Sequence, residues 1–251
     1  MYIMTEISRE TPTLTLSKVG HSYGSIDVLD DVSFDIRSGE VTAIIGPNGA
    51  GKTTLLKAIV GLHDPARGEI RYNGPAASRP IGYLQQHPAF RPGQTVKEAI
   101  TFYGSLVDES ELDADARLEQ VGLTAAADRA VEDLSGGMTR LAGIAQATVG
   151  DPPLVVLDEP ASGLDPGMSV RIFEVAEELT ETGAAVLLSS HDLALVERTA
   201  DRVLLLDDGT VARDGSPALI CSELGVESLL DAFEAAISGE AGTVTVRGET
   251  A

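Results

Sequence analysis

The stretch Gly46-Pro47-Asn48-Gly49-Ala50-Gly51-Lys52-Thr53-Thr54 dictates local architecture more strongly than any other part of this chain. It fits the phosphate-binding pattern G-x-x-x-x-G-K-[ST] at every required position. Val41-Thr42-Ala43-Ile44-Ile45 ahead of it is β-branched and apolar, which predicts a buried strand. Residues 54–60 behind it predict a helix. A strand, a glycine-rich turn and a helix start together form an anion site. The glycines let backbone amides turn inward, and the helix dipole favours negative charge. In such a site Lys52 would reach the β- and γ-phosphates, and Thr53 would set its hydroxyl on Mg²⁺.

The 251 residues are 43% hydrophobic, which allows a sizeable core and excludes wholesale disorder. No apolar run approaches the roughly 20 residues that cross a bilayer. Residues 1–10 lack a basic cluster followed by an apolar stretch, so no signal peptide is predicted and the expected location is the cytoplasm. Work at a membrane would then require recruitment by another chain. Cys221 is the only cysteine, which excludes an internal disulfide and a multi-cysteine metal site. Net charge is −21, and only four of the 18 basic residues are lysines, namely Lys18, Lys52, Lys57 and Lys97. Such a chain repels itself unless salt screens it, which predicts a salt-rich cytoplasm. An acidic surface kept for solubility is the other reading. Both argue against nucleic acid as a direct partner.

Along the chain, strands are predicted at 13–17, 28–36, 41–45, 69–72 and 81–85, with Asn73-Gly74 a strong turn signal. Residues 95–130 carry few β-branched residues and many Ala, Leu, Glu and Asp, which predicts a helical insert. Strands resume at 154–157, 184–188, 202–206 and 210–212, with helices at 167–182 and 192–199. From about Pro217 the expectation is one helix and then a loose, acidic end. This alternation predicts an α/β fold with a largely parallel sheet.

Two further constellations carry chemistry. Leu154-Val155-Val156-Leu157-Asp158-Glu159 is an apolar strand ending in two acids, at the strand end where ligands bind in open α/β sheets. Asp158 would hold Mg²⁺, directly or through water, and Glu159 would orient and deprotonate an attacking water. Taken alone, the pair is also an ordinary solvated turn. Leu134-Ser135-Gly136-Gly137-Met138 opens a second helix with Ser135 as N-cap and two glycines that allow close approach of a ligand.

With these motifs assembled, the chain resembles the ABC-type ATPases from Leu14 to about Pro217. Gly46–Thr53 looks like Walker A, Leu154–Asp158 like Walker B, and Leu134–Gly137 like the LSGGQ signature. Glu159 falls at the catalytic glutamate, Gln86 at the Q-loop glutamine and His191 at the switch histidine. Ser162-Gly163-Leu164-Asp165 looks like the D-loop, and Tyr23 sits where an aromatic stacks on adenine. Several have plainer readings: His191 as a surface histidine, Asp165 as a helix cap, Tyr23 as a core aromatic. Gln85 leaves the Q-loop assignment open by one position.

The resemblance implies a P-loop ATPase fold with a mostly parallel core sheet, an antiparallel β subdomain and a helical subdomain. It places a lead-in at 1–12, the ATPase domain at 13–216 with its helical subdomain at 87–140, and a C-terminal helix and acidic tail at 217–251. It implies that two copies, or one copy and a similar ATPase, pack head to tail with ATP and Mg²⁺ between them. Each ATP would lie between the phosphate loop of one and Ser135–Gly137 of the other. His191 would contact the γ-phosphate, Gln86 would sense Mg²⁺ and water, and Asp165 would act across the interface. A separate transmembrane permease is the implied partner, received by the helical insert and holding this subunit at the cytoplasmic face of the membrane. Pro92–Tyr103 is similar to the corresponding part of ABC-2-type exporters, and Met138 is also frequent there. Met138, Leu141, Gln146 and Ala161 depart from the commonest pattern, but none removes a group that does the chemistry. A soluble ABC ATPase not coupled to transport, and a nucleotide-dependent scaffold, are the alternatives.

Overall fold

The structure is a computed structural model, and it describes residues 11–107 and 112–238. In chain order the elements are β1 (Leu14–Tyr23), β2 (Ile26–Ile36), β3 (Val41–Ile45), α1 (Lys52–Ile59), β4 (Arg67–Tyr72), β5 (Ile81–Leu84), α2 (Val96–Leu106), α3 (Ala114–Gln120), α4 (Gly136–Thr148), β6 (Leu154–Leu157), α5 (Pro166–Glu181), β7 (Ala185–Ser189), α6 (Leu193–Thr199), β8 (Arg202–Asp207), β9 (Thr210–Gly215), α7 (Pro217–Leu224) and α8 (Leu229–Ser238). Strands β2, β1 and β4 form a three-stranded antiparallel sheet. A second sheet has the order β5-β6-β7-β3-β8-β9. Its first five strands run parallel, and β9 returns antiparallel on the edge.

The central strands are mostly apolar because both their faces are covered. Successive side chains still alternate. Val41, Ala43 and Ile45 join one core with Val155, Leu157, Val186 and Leu188, whereas Ile44 joins another with Leu154, Val156 and Leu187. The first core is closed by helices, including Ile144 of α4, Phe173 of α5 and Val196 of α6. The second is closed by the three-stranded sheet and by Leu55, Leu56 and Ile59 of α1. Each such buried side chain contributes about 1.5–3 kcal/mol, so α1 and the loop in front of it are held firmly against the sheet.

Two elements differ from the sequence expectation, and one turn falls where it was predicted. Strand β1 runs on to Tyr23, past the point where its alternation stops. Its register shifts beyond Leu16, and Lys18 takes φ 52, so a bulge carries the strand through a break in pattern. Asn73-Gly74 ends β4 at the predicted turn. Both amides donate to Thr13 O, and the chain leaves for the other sheet. The C-terminal region has two helices rather than one, because Gly225 at φ 69 caps α7 and Ser228 bonds to Asp231 at the start of α8. The lead-in to residue 10 and the acidic end beyond 238 lie outside the described residues.

Candidate functional site

Parallel strands share a direction, so the carboxyl ends of β3, β5, β6 and β7 lie along one edge. The residues that follow these ends are Gly46, Gln85 and Gln86, Asp158 and Glu159, and Ser190 and His191. This one topological fact gathers most of the predicted site.

The loop after β3 needs its glycines. A Cβ on Gly46 would lie 2.1 Å from Leu206 O, and one on Gly51 would lie 2.8 Å from Val28 O, where φ is also 100. The loop is therefore pressed against β8 and β2 with no room for a side chain. Pro47 is half-buried, Asn48 and Gly49 form the exposed tip, and Ala50 is buried in the core. Helix α1 has no side-chain cap, so the amides of its first turn are free for an anion. Lys52 is buried, and its Nζ donates to Gly46 O at 2.7 Å and Pro47 O at 3.1 Å. Burial lowers its pKa, while Glu159 and Asp158 pull the other way. Thr53 and Thr54 are both half-buried.

Thr53 Oγ1 donates to Asp158 Oδ1 at 3.2 Å, which joins the phosphate loop to the acidic pair. Ser189 Oγ also donates to Asp158 Oδ1, at 2.8 Å, and accepts from Glu159 N at 2.9 Å. Asp158 Oδ2 and Glu159 Oε1 are buried without a hydrogen-bond partner. His191 Nε2 comes to 2.9 Å from Glu159 Oε1, close enough for an ion pair but outside hydrogen-bond alignment. Burial raises the pKa of Glu159, opposed by Lys52, reinforced by Asp158 and opposed by Arg140. Burial lowers that of His191, and Lys52 acts the same way. A half-exposed imidazole that releases its proton more readily than usual thus faces a carboxylate that holds its own more tightly.

An orphaned carboxylate oxygen beside a threonine hydroxyl suits a hard cation with oxygen ligands. Among the described residues no group of three or more His, Cys, Asp or Glu could hold a metal alone. Thr53 and Asp158 fit the protein side of a Mg²⁺ site and would hold that ion through oxygen.

Ser135 caps α4, its hydroxyl accepting from Met138 N at 3.4 Å, and both Ser135 and Gly136 are exposed. Gly137 is buried, and a Cβ there would lie 2.4 Å from Met168 Cγ. Its lack of a side chain therefore serves the packing of α4 on α5 within the chain. Asp165 is exposed and caps α5 by accepting from Met168 N at 3.1 Å. Tyr23 is 48% exposed and packs edge-on to His21 and His63, so it is not a core aromatic. Gln86 is half-buried and Gln85 exposed. A cleft of about 720 Å³ runs from Glu159 and His191 past Ser162 and Leu164 to Leu230 on α8.

Three participants were not legible as site residues. Ser189 bridges the acidic pair. The hydroxyl of Tyr83 on β5 has its pKa pushed up to about 12 by burial and by Asp158 beside it. Arg140 is buried on α4, and its Nη1 donates to Gln86 O. Only the carboxyl-end position of Ser189 carried a signal in the sequence.

This fold and edge define an ATP-binding cassette. The ABC transporter family model matches residues 29–162, and the chain belongs to that family as an ATP-binding subunit, in a family that hydrolyses ATP. It is 35% identical over 226 residues to the Nod factor export ATP-binding protein I of Paraburkholderia xenovorans, covering 85% of this chain and 74% of that one. It is 33% identical over 245 residues to the linearmycin resistance ATP-binding protein LnrL of Bacillus subtilis, covering 93% and 78%. Among solved structures, an ATP-binding subunit of an ABC transporter superposes with a TM-score of 0.78 at 30% identity, covering 90% of this chain and 99% of that one. A dimeric bacterial ABC transporter cassette gives 0.71 at 26%, covering 81% and 98%. Among the described residues no helix is long and apolar enough to cross a membrane.

Proposed function

We propose that this subunit binds and hydrolyses ATP with Mg²⁺ to drive a separate transmembrane permease, and that it does so by closing head to tail on a second copy or a similar ATPase. The observation that carries the reading is the meeting of Lys52, Thr53, Asp158, Glu159 and His191 at one sheet edge, while Ser135 of the same chain faces outward. Lys52 neutralises the phosphates. Thr53 and Asp158 would hold Mg²⁺, which would supply charge neutralisation for the phosphates. Glu159 takes the proton of the attacking water, and its burial moves its pKa toward the range a base needs at neutral pH. His191 and Gln86 orient that water and the γ-phosphate, and Tyr23 stacks on adenine. Asp165 and the exposed Ser135–Gly136 edge act on the facing subunit.

Residues 13–216 form the cassette on this reading, and 87–140 its permease-facing insert. The cleft of about 650 Å³ on α2, with Phe102 44% exposed beside Thr101 and Asp128, suits a short segment of the permease. On this reading the subunit works at the cytoplasmic face of the membrane. Relatives named for Nod factor export and linearmycin resistance favour export. The net charge of −21 disfavours nucleic acid.

Size-exclusion chromatography with ATP tests the dimer. Glu159→Gln is expected to elute as a stable dimer and to lose turnover, because binding groups stay while the base is gone. Lys52→Ala is expected to lose nucleotide binding itself. A Glu159→Gln protein that stays monomeric with saturating ATP contradicts the assignment.

A further inference from the structure

Arg140 belongs to none of the motifs assigned above. It lies one turn past the Ser135–Gly137 end of α4 and is 7% exposed, a rare place for a guanidinium unless it is paired. Its partners are main-chain oxygens: Nη1 donates to Gln86 O and lies 3.5 Å from Gln85 O. Burial lowers its pKa against the attraction of Asp158 and then Glu159, which puts the acidic pair in electrostatic reach. The rest of α4 is pressed along the same strand. A Cβ on Gly82 would lie 2.0 Å from Ala147 O, and one on Gly143 would lie 2.5 Å from Leu84 Cδ1 and 3.2 Å from Pro88 Cβ. One stiff helix therefore contacts β5 at two levels and grips the chain leaving it at a third. Its opposite end presents Ser135 and Gly136 to solvent.

We propose that Arg140 is a positioning residue that pins the Gln86 backbone between the exposed start of α4 and the Asp158–Glu159 pair, so that a push on Ser135 is felt at the chain's own carboxylates. A packed helix moves as a body. Engagement of Ser135 by a facing subunit's nucleotide thus shifts the carbonyls that Arg140 holds, and Gln86 with them. The kinetic consequence rests on the ATPase reading above, whereas the pinning does not. Methionine at 140 fills much of the same volume but leaves both carbonyls without their donor. Lysine restores one donor.

The test uses full-length Arg140→Met and Arg140→Lys. Hydrogen exchange without nucleotide reads the pinning directly. Amides of residues 85–90 are expected to exchange about tenfold faster in Arg140→Met and by a smaller factor in Arg140→Lys, with α1 and β6 unchanged. Steady-state ATPase reads the consequence: kcat is expected to fall about tenfold in Arg140→Met with KM for ATP within about twofold, and Arg140→Lys to recover part of it. A merely structural residue would not split kcat from KM. Unchanged exchange at 85–90 in Arg140→Met overturns the proposal, and if that variant does not fold, unchanged exchange in Arg140→Lys does so. A wild-type chain with no turnover removes the ATPase reading and leaves the exchange result to decide the pinning.

Discussion

Replacing Ser189 with alanine isolates the bond network that holds the acidic pair. Ser189 closes β7 and is fully buried at 0% exposure. Its single hydroxyl donates to Asp158 Oδ1 and accepts from Glu159 N. A hydrogen bond to a charged group contributes about 1.5–3 kcal/mol, and a buried amide left without an acceptor costs about 1–3 kcal/mol. One hydroxyl makes both bonds and the site relaxes partly, so the expected loss is about 3 kcal/mol rather than the full total. Thr53 remains on Asp158 Oδ1 and the Tyr83 hydroxyl lies beside the carboxylate, so Asp158 keeps part of its support and the loss stays below the full total.

Urea unfolding followed by far-ultraviolet circular dichroism measures this. The chain has no tryptophan, so indole fluorescence offers no signal. With m unchanged at about 3 kcal/mol/M, the midpoint should fall by about 1 M. Thr42→Val on the neighbouring strand β3 is the matched control. Thr42 is equally buried, but its Oγ1 has no partner. Removing that hydroxyl should leave stability unchanged or raise it by about 1 kcal/mol. If Ser189→Ala costs less than about 0.5 kcal/mol, or if the two variants behave alike, the network does not hold the pair and the reasoning fails.

Burial raises the pKa of Glu159 above its ordinary 4.5, so the folded chain holds that proton more tightly than the unfolded one. The stability this contributes is complete below 4.5 and is lost as pH rises through the raised value. Thermal melts should therefore show Glu159→Gln more stable than wild type at about pH 8, with the gap closing on acidification; a gap that widens refutes the assignment. The charge of −21 predicts a melting temperature that rises from about 0.1 M to about 2 M KCl, and a maximum at the lowest salt would contradict it.

What the sequence revealed and what it hid divide along a physical line. Val41–Ile45 and Leu154–Leu157 were legible to the residue because each is a short apolar run bounded by turn or charge signals. The meeting of Lys52, Thr53, Asp158 and Glu159 at one edge was legible because the proposed chemistry demands fixed spacing within one loop or strand end. Ser189 and Arg140 were not, because their partners lie 31 and 54 positions away and no local pattern records such a meeting. The pattern at Gly137 suggests ligand approach and says nothing of Met168, whose contact exists only after α4 and α5 pack. The bulge in β1 was invisible for a different reason: an irregularity removes the alternation that marks a strand.

Asp158 and Glu159 are adjacent, yet they serve different neighbours, and the backbone explains how. Asp158 N still donates to Leu84 O, so Asp158 remains in the ladder between β5 and β6 and presents Oδ1 to Thr53 and Ser189. Glu159 then takes φ 48, a left-handed conformation that costs a residue with a side chain about 1 kcal/mol or more. A continued strand would merely send its side chain to the opposite face of the sheet. The turn instead brings its carboxylate to His191 at the end of the next strand. The Ser189 hydroxyl on the Glu159 amide holds that turn in place. The strain thus divides two consecutive acids between the Thr53 hydroxyl and the His191 imidazole, and Ser189 sets the division from outside both motifs.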